Sequence, residues 1–307
     1  MKMKNLYRIP ILFLLLSLAF QPLRAQISAG GNEAFGVLRV DRDPVRMGMA
    51  GAGESLTVQN LAFASFGNPA AAAFASSKVD AAFSYASWSP HYAGAGNIAS
   101  GVTGHVKDNV ALSVGFARQG YPGLDFESAS AFKPSDVMIR VGAGFAVSET
   151  LALGVTAGYA QEALMSDYTL SAFSVSAMAQ YRMESLNVAA GIAHLGSKVG
   201  EDYPIPSSLK LAADYGLEFE NVGLRIAVDG DYYFSGNYSV AAGLDLGIAG
   251  AGFLRGGYRF ASPSAAIPSC LGLGGGVRFA GFELDFAFLT ASESLSGSWM
   301  AGVSYRF

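Results

Sequence analysis

The sequence is short of charged residues and of cysteine. Only 14% of its 307 residues are Asp, Glu, Lys or Arg, whereas an ordinary soluble domain carries about 25%. With 51% hydrophobic residues and a mean hydropathy of +0.32, so little charge excludes an intrinsically disordered chain. The single cysteine, Cys270, cannot form an internal disulfide. The net charge of -4 and the lack of a basic run argue against nucleic acid as a partner.

The chain also lacks long apolar runs, with one exception at the N-terminus. The run Ile11–Phe20 follows three basic residues and precedes a more polar stretch that ends at Ala25. It is shorter than the roughly 20 apolar residues that a transmembrane helix needs, and its flanks are typical of a secretory signal. We predict that residues 1–25 are a removed signal peptide; an uncleaved anchor is the alternative. The residue directly after the cleavage site is not a cysteine, which excludes a lipoprotein.

In the rest of the chain, apolar residues recur at every second position. Within residues 295–307 the odd positions are Leu, Gly, Trp, Ala, Val, Tyr and Phe, and the even positions are Ser, Ser, Met, Gly, Ser and Arg. Residues 282–288, 209–218 and 222–229 alternate in the same way. This period is typical of β-strands with one apolar face, and no helical period is sustained after the signal.

The alternation predicts about fourteen strands, each long enough to cross a bilayer when tilted. They lie near residues 78–89, 93–106, 109–119, 135–147, 150–161, 168–183, 185–196, 206–219, 221–234, 237–248, 250–260, 268–280, 281–290 and 295–307. Tight turns follow the even-numbered strands, and the longer loops follow odd-numbered ones. We therefore predict an all-β, transmembrane, antiparallel up-and-down barrel over residues 78–307, in the outer membrane. A soluble β-protein with glycine-rich turns is the alternative.

Charged residues share the small, polar face of the predicted strands, and aromatic residues near the strand ends lie on the opposite face. An arginine that faces lipid at the bilayer midplane costs about 2–4 kcal/mol, so we predict that these charges face the lumen. Arg118 is the exception, at a strand end from which it can reach the interface. The predicted lumen-facing charges are Arg140, Arg182, Asp214, Arg225, Asp229, Asp231, Asp245, Arg255, Arg259, Arg278, Glu283, Asp285 and Arg306.

Residues 26–77 precede the first strand and carry no signal of a separate domain. The predicted lumen face is rich in Gly, Ala and Ser, which leaves space for this segment as a plug. Within it lie the run 46–53, Arg-Met-Gly-Met-Ala-Gly-Ala-Gly, and the tripeptide Asn68-Pro69-Ala70. Glycine permits close backbone approach, while proline fixes φ and asparagine can cap its own backbone. A plain turn before the first strand is the alternative.

These two motifs resemble the N-terminal hatch of the FadL-type long-chain fatty-acid transporter superfamily. They are most similar to the PorV/PorQ family of Bacteroidota, although Phe66-Gly67 replaces the usual aromatic residue before Asn68. Residues 204–211 and 254–260 fit the same family, and the terminal Tyr-Arg-Phe resembles the signal that the outer-membrane assembly machinery reads. The resemblance implies a 14-stranded barrel with a hatch motif of Arg46, Gly48, Gly51, Gly53, Asn68, Pro69 and Ala70.

The sequence offers no convincing catalytic, metal or cofactor site. His91, His105 and His194 are far apart, and no Cys/His pair has the spacing of metal ligands. The glycine run 272–276 lacks the Lys-Ser/Thr pair and the helix of a phosphate loop, and no Ser-x-Gly elbow or triad order is present. We therefore predict a protein without enzymatic activity, metal or cofactor.

Two functions remain open. The PorV/PorQ resemblance implies an accessory or scaffold role in surface-protein export of the type IX kind, with a secretion-system or surface-protein partner bound by loop residues Tyr121, Leu124 and Phe126. The alternative is passive uptake of a hydrophobic small molecule that leaves where a strand kink opens the wall. Because fatty-acid transporters of the superfamily are longer and have larger external regions, the resemblance favours the first. The other expected partners are outer-membrane lipid and the assembly machinery.

Overall fold

The strands of the chain pair in sequence order and close on themselves. The computed structural model describes residues 33–57, 61–126, 129–199 and 203–307, so the predicted signal peptide lies outside the described residues. Fourteen of the strands form one closed antiparallel barrel, and two short ones form a hairpin. Their bounds are β1 Val79–Trp88, β2 Ala95–Lys107, β3 Val110–Gly120, β4 Leu124–Phe126, β5 Ala129–Phe132, β6 Ser135–Ala146, β7 Leu151–Met165, β8 Tyr168–Arg182, β9 Leu186–Gly196, β10 Ser208–Phe219, β11 Val222–Tyr233, β12 Tyr238–Ile248, β13 Gly252–Ala261, β14 Cys270–Phe279, β15 Phe282–Thr290 and β16 Trp299–Arg306.

The barrel closes between its first and last strands. β1 pairs with β16 in a register that runs from Asp80 opposite Arg306 to Ser87 opposite Trp299. The hairpin β4–β5 interrupts the chain between β3 and β6, which are themselves neighbours. The first strand begins and the last strand finishes on the side of the barrel that has the tight turns, where Lys78 N donates to Phe307 O over 3.0 Å. We call this the short-turn end and the opposite one the long-loop end.

The predicted fold class is confirmed, and each predicted strand is present with shifted ends. The hairpin β4–β5 is an addition, formed inside the loop predicted at 120–134. The last strand begins at Trp299 and not at 295. Its preceding residues form a turn, because Gly297 adopts a φ of 88° and Ser298 Oγ accepts a hydrogen bond from Ser89 N.

Burial alternates along the strands as a transmembrane barrel requires. In β6, Val141 is 49% exposed whereas its neighbour Arg140 is 1% exposed, and in β15 Leu284 is 54% exposed beside Asp285 at 5%. The outward face is therefore apolar, which suits lipid. Exposed aromatic residues lie near both strand ends, as in interfacial girdles; they are Phe145, Tyr181, Phe219, Phe279 and Phe307 at the short-turn end and Tyr168, Phe173, Tyr238 and Phe260 at the long-loop end. Arg118 is exposed on the outward face.

Inside the barrel, the described residues of the N-terminal segment include four short helices. They are η1 Gly36–Arg39, α1 Pro44–Gly48, η2 Leu61–Phe66 and α2 Pro69–Ala72. Both α-helices begin with proline after a capping side chain, since Asp43 Oδ1 accepts from Val45 N and Asn68 Oδ1 from Ala70 N. Helix α1 contacts β13–β16, η2 contacts β1–β3 and β6, and α2 contacts β3 and β6–β8. Contacts on every side place the segment in the lumen.

The segment runs along the lumen from the long-loop end to the short-turn end. Ala34 N donates to Pro204 O in a long loop, whereas the segment ends beside the first residue of β1. Inward-facing glycines allow its backbone to lie directly on the wall: a Cβ added to Gly144 would meet Pro69 O at 2.1 Å, and one on Gly274 would meet Gly48 Cα at 2.9 Å. Small wall residues therefore decide where the segment fits. None of the helices among the described residues has the length and apolar character to cross a membrane.

The two faces of the wall predict opposite responses to a new charge. Val303→Lys should block assembly, because a lysine on the lipid face near the midplane costs about 2–4 kcal/mol. Gly223→Lys should be tolerated, since Gly223 lines an open part of the lumen beside the Glu218 carboxylate. Heat-modifiable mobility of the extracted protein measures the folded fraction. Equal folding of the two variants would contradict the assignment of faces.

Candidate functional site

The candidate site is the contact between the N-terminal segment and the inner wall. Its centre is a chain of buried ion pairs. Arg46 Nη1 donates to Glu54 Oε2 over 2.8 Å, and Lys210 Nζ of β10 reaches the same oxygen at 3.1 Å and Asp231 Oδ1 of β11 at 3.0 Å. Glu54 is thus shared by a cation of the segment and a cation of the wall. This arrangement holds the segment against β10 and β11.

The charge balance around Glu54 keeps it ionised. Burial by itself raises the pKa of its carboxyl, but Arg46 and Lys210 outweigh that effect and lower the pKa to about 2. A buried carboxylate that lost either cation would be costly. Arg46 and Glu54 are therefore a coupled pair, although only Arg46 belongs to the predicted hatch motif.

Backbone groups of the hatch motif also bind the wall. Asp229 of β11 accepts from Gly53 N over 3.0 Å and from Glu54 N over 2.8 Å. Arg259 Nε of β13 donates to Ala50 O over 3.0 Å. Gly53 has a φ of 111°, which presents these two amides side by side to one carboxylate. The predicted charges Asp229 and Arg259 thus meet the predicted glycines.

Asn68 joins the second half of the motif to the first. Its Nδ2 donates to Gln180 Oε1 of β8 over 2.7 Å and to Glu54 O over 3.1 Å. Gln180 Nε2 in turn donates to Ser55 O over 2.8 Å. Asn68 therefore caps α2 and ties both halves of the segment to the wall. Sequence patterning did not single out Gln180, which is a fully buried polar residue on the inward side of β8.

The remaining predicted charges form a second layer, toward the short-turn end. Arg255 lies between three carboxylates, those of Asp245 at 3.3 Å, Glu283 at 3.2 Å and Asp285. The other pairs are Arg278 with Glu283, Arg225 with Asp214 and Arg306 with Asp80, while Arg182 covers the Phe74 ring of the segment. All of these side chains turn away from the apolar outward face. Arg225, Asp245 and Arg278 of this layer also line an open cavity of about 510 Å³ at the short-turn end.

Between β2 and β8 the lumen instead contains an apolar layer, and the next inward residues toward the long loops are polar: Asn97, Gln119, Asp136 and Glu162. Phe35, Leu38 and Phe63 of the segment pack there against small wall residues. Phe35 is completely buried and has a φ of 61°, a conformation that costs a non-glycine residue about 1–3 kcal/mol. The wall and loop residues of this apolar compartment are Ala99, Ala117, Met138, Ala160, Ala172, Val199 and Ile205.

A β-bulge lies in the wall beside this compartment. The pairing of β8 with β9 shifts between Val175–Leu195 and Ala177–Ile192, so β9 carries one extra residue. His194, with a φ of 56°, fills the bulge; its N donates to Ser176 Oγ, and its Nδ1 lies 2.8 Å from Arg140 Nη1. The sequence missed this feature, because an extra residue leaves no mark in a strand of small side chains.

One residue of the predicted loop patch, Tyr121, makes contacts with the wall. Tyr121 is half-buried, its hydroxyl accepts from Gln119 Nε2 and donates to Asp136 Oδ2, and its ring packs on an interior cluster. Part of the Tyr121 side chain is therefore engaged by the wall, and its contact with an outside partner stays a prediction. Leu124 and Phe126 lie in β4. Within the described ranges, no group of three or more His, Cys, Asp or Glu residues is arranged to hold a metal ion.

Comparison with solved structures identifies the same barrel architecture. The chain superposes on the toluene transporter TbuX of Ralstonia pickettii with a TM-score of 0.59 and 12% identity, over 90% of this chain and 98% of that one. The toluene transporter TodX of Pseudomonas putida gives 0.61 and 11% over 86% and 97%. A FadL homologue of Pseudomonas aeruginosa gives 0.55 and 13% over 86% and 98%. No protein-family profile and no curated protein sequence matches the chain.

The chain therefore has the same barrel fold as these three structures, one of which is a FadL homologue. At sequence identities this low, the comparison shows a shared fold and does not show a shared function. The narrower PorV/PorQ assignment finds no support among them.

The close contact at Gly144 predicts a steric release of helix α2. Gly144→Ala would place a methyl group on Pro69 O and force α2 off the wall. A reporter cysteine can be introduced as Ala73→Cys in a Cys270→Ala background, at a position that is buried in the parent. It should react with maleimide once α2 has left the wall. Gly256→Ala is the matched control, because the nearest atoms to a Cβ there are 4.0 Å away. Equal labelling in both variants would show that the contact does not hold α2.

The lowered pKa of Glu54 predicts an acid-dependent loss of stability. Its charge contributes about 3 kcal/mol above pH 4.5, the ordinary carboxyl value, and this contribution is lost as the pH falls through about 2. The thermal midpoint of the parent should therefore exceed that of Glu54→Gln at neutral pH, and the difference should shrink between pH 4.5 and 2. Tryptophan fluorescence of Trp88 and Trp299 reports unfolding. A difference independent of pH would contradict the ion-pair role of Glu54.

Proposed function

We propose that this barrel carries small apolar molecules across the outer membrane. The observation that supports the proposal is that the side chains lining the lumen differ in chemistry from one region to another. Between β2 and β8 the lumen contains an apolar layer on the long-loop side, and its short-turn end contains buried ion pairs. Outer-membrane barrels place their longer loops outside the cell, so an apolar molecule from outside reaches the apolar compartment before it reaches those ion pairs.

Binding in the compartment requires Phe35 to move. Phe35 is completely buried among the residues of the compartment, and the neighbouring cavity that Leu38 and Phe63 line holds about 90 Å³, whereas small-molecule pockets have about 300–1,000 Å³. An apolar ligand that replaces the Phe35 side chain exchanges one apolar contact for another and relieves the strained φ of that residue. The ion pairs of Arg46 and Glu54 lie farther along the segment and remain intact.

Release then occurs through the wall and not along the axis. An apolar molecule that moved toward the short turns would have to separate buried ion pairs such as Arg255 with Glu283, at a cost of about 3–5 kcal/mol for each broken pair. The bulge at His194 borders the apolar compartment, and its extra residue already interrupts the ladder between β8 and β9. Opening there releases the molecule sideways into lipid.

The neighbouring structures support the same class of cargo, since TbuX and TodX are toluene transporters. No comparison supports the export-scaffold role that the PorV/PorQ resemblance implies. Tyr121, the first residue of the loop patch expected to bind an export partner, makes its hydrogen bonds to Gln119 and Asp136 of the wall. The uptake function therefore stands ahead of the scaffold function.

A reversible cross-link over the bulge tests the route. Val175→Cys/Leu195→Cys joins the pair that adjoins the bulge, and opposite Cα atoms in antiparallel strands lie about 4.5–5.5 Å apart, within disulfide range. Oxidation should lower the uptake of radiolabelled toluene by cells several-fold, and reduction should restore it. Leu153→Cys/Ala179→Cys, an opposite pair between β7 and β8, is the control and should not respond.

Two outcomes would overturn the proposal. One is toluene uptake that does not depend on the protein. The other is a stoichiometric protein partner in pull-downs from detergent-solubilised membranes, without any copurified apolar compound, which would favour the export scaffold. Uptake that persists through the oxidised bulge pair would refute the sideways route alone.

A further inference from the structure

Arg118 is a cation on the lipid face of the barrel. Its side chain is exposed near the long-loop end of β3, whereas its strand neighbours Ala117 and Gln119 are buried on the inner face. Within the described part of the chain, no carboxylate pairs with Arg118 and no other group forms a hydrogen bond with its side chain. Most charged side chains of the wall lie in the lumen and have partners there, as Arg255 and Arg225 do. The surroundings of the barrel are therefore the source of a counterion for Arg118.

A second polar side chain lies in the same row across the strands. Arg118 is opposite Val137 of β6, and Val137 is opposite Gln161 of β7. Gln161 is half-buried on the outward face, since its neighbour Glu162 is buried on the inner face. The amide of Gln161 also has no hydrogen-bond partner among the described residues. Neighbouring strands are about 4.8 Å apart, so the Cα atoms of Arg118 and Gln161 are roughly 10 Å apart and both side chains can reach one group bound over Val137.

The outward rows on either side of this one differ in size and polarity. The next row toward the midplane is large and apolar or aromatic, and consists of Phe116, Ile139, Tyr159 and Phe173. The next row toward the long loops is small, and consists of Gly120, Ser135 and Ala163. No atom lies within 4 Å of a Cβ added to Gly120, so there is open space beside Arg118 on that side. From the midplane outward, an apolar row is thus followed by a row with a cation and an amide, and then by a row with space.

This order matches the order of groups in an anionic lipid. The acyl chains suit the apolar row, a phosphate suits the row of Arg118 and Gln161, and the rest of the head group has room next to Gly120. The guanidinium of arginine binds phosphate with two parallel hydrogen bonds, and the amide of glutamine adds a neutral N–H donor. Outer-membrane barrels place their longer loops outside the cell, so the lipid belongs to the outer leaflet.

We infer that Arg118 and Gln161 bind the phosphate group of an anionic lipid in the outer leaflet. A neutral lipid would leave the charge of Arg118 without a counterion, and a free phosphate ion would make no use of the apolar row beside it. The bound lipid attaches to β3, β6 and β7 from outside, on the opposite face of the wall from the apolar compartment. This inference does not depend on the apolar-uptake function.

Titration of the full-length protein in detergent with lipid A, a phosphorylated glycolipid, tests the site. Native mass spectrometry should show saturable binding of lipid A, with a dissociation constant at least about tenfold lower than that of phosphatase-treated lipid A. Arg118→Gln should raise the dissociation constant for lipid A about tenfold or more, and Gln161→Leu should raise it less, because a neutral hydrogen bond contributes less than one to a charged group. Lys107→Gln is the matched control: it removes the same charge from an exposed lysine at the short-turn end of β2, and should leave the affinity unchanged.

The comparison of the two glycolipids uses the parent protein, so it tests the inference even if Arg118→Gln does not fold. Equal affinity for lipid A before and after phosphatase treatment would overturn the inference, and so would equal affinity of the parent and folded Arg118→Gln. Inorganic phosphate that binds as tightly as lipid A would overturn the assignment to a lipid. A dimer that binds no lipid A and dissociates in Arg118→Gln would also overturn it, because the cation would then belong to a protein interface.

Discussion

The structure depends on one constraint, that every strand of a closed transmembrane barrel has one face in lipid and the other in the lumen. Charges are confined to the inner face by the cost of exposing them to lipid. Once inside, each of them needs a partner. The wall supplies some partners itself, as in the group around Arg255. The N-terminal segment supplies others, because Glu54 binds Lys210 and the amides of Gly53 and Glu54 bind Asp229.

The same constraint separates the lumen into regions with different chemistry. On β10–β15 the inner face carries most of the paired charges, and on β2–β8 it carries a layer of alanine and methionine. A segment that crosses both regions needs a polar part and an apolar part. Arg46 and Glu54 provide the first, and Phe35, Leu38 and Phe63 provide the second. The apolar part is held by weaker, non-directional contacts, so it is the part that a ligand can displace.

Local pattern was sufficient for the strands and their faces. The period of two is a property of neighbouring residues, so it identified Leu284 as outward and Asp285 as inward before any pairing was known. The bulge at His194 and the inward turn of Tyr121 were not predictable in this way. The bulge depends on how β9 pairs with β8, and the position of Tyr121 depends on hydrogen bonds to Gln119, two residues earlier, and to Asp136 of β6.

The sequence by itself determined the barrel, the number of its strands and the face on which its charges lie. It also placed the residues of the hatch motif together in the segment before the first strand. Those features follow from alternation, turn length and local glycine and proline geometry. Only the tertiary structure decided which charges pair, since the contacts of Glu54 with Lys210 and of Gly53 with Asp229 join residues more than 150 positions apart. It also decided that the buried guanidinium of Arg140 binds the neutral groups Ser65 O, Ser176 Oγ and His194 Nδ1, because the partner of a buried charge depends on distance in the folded lumen and not on order along the chain.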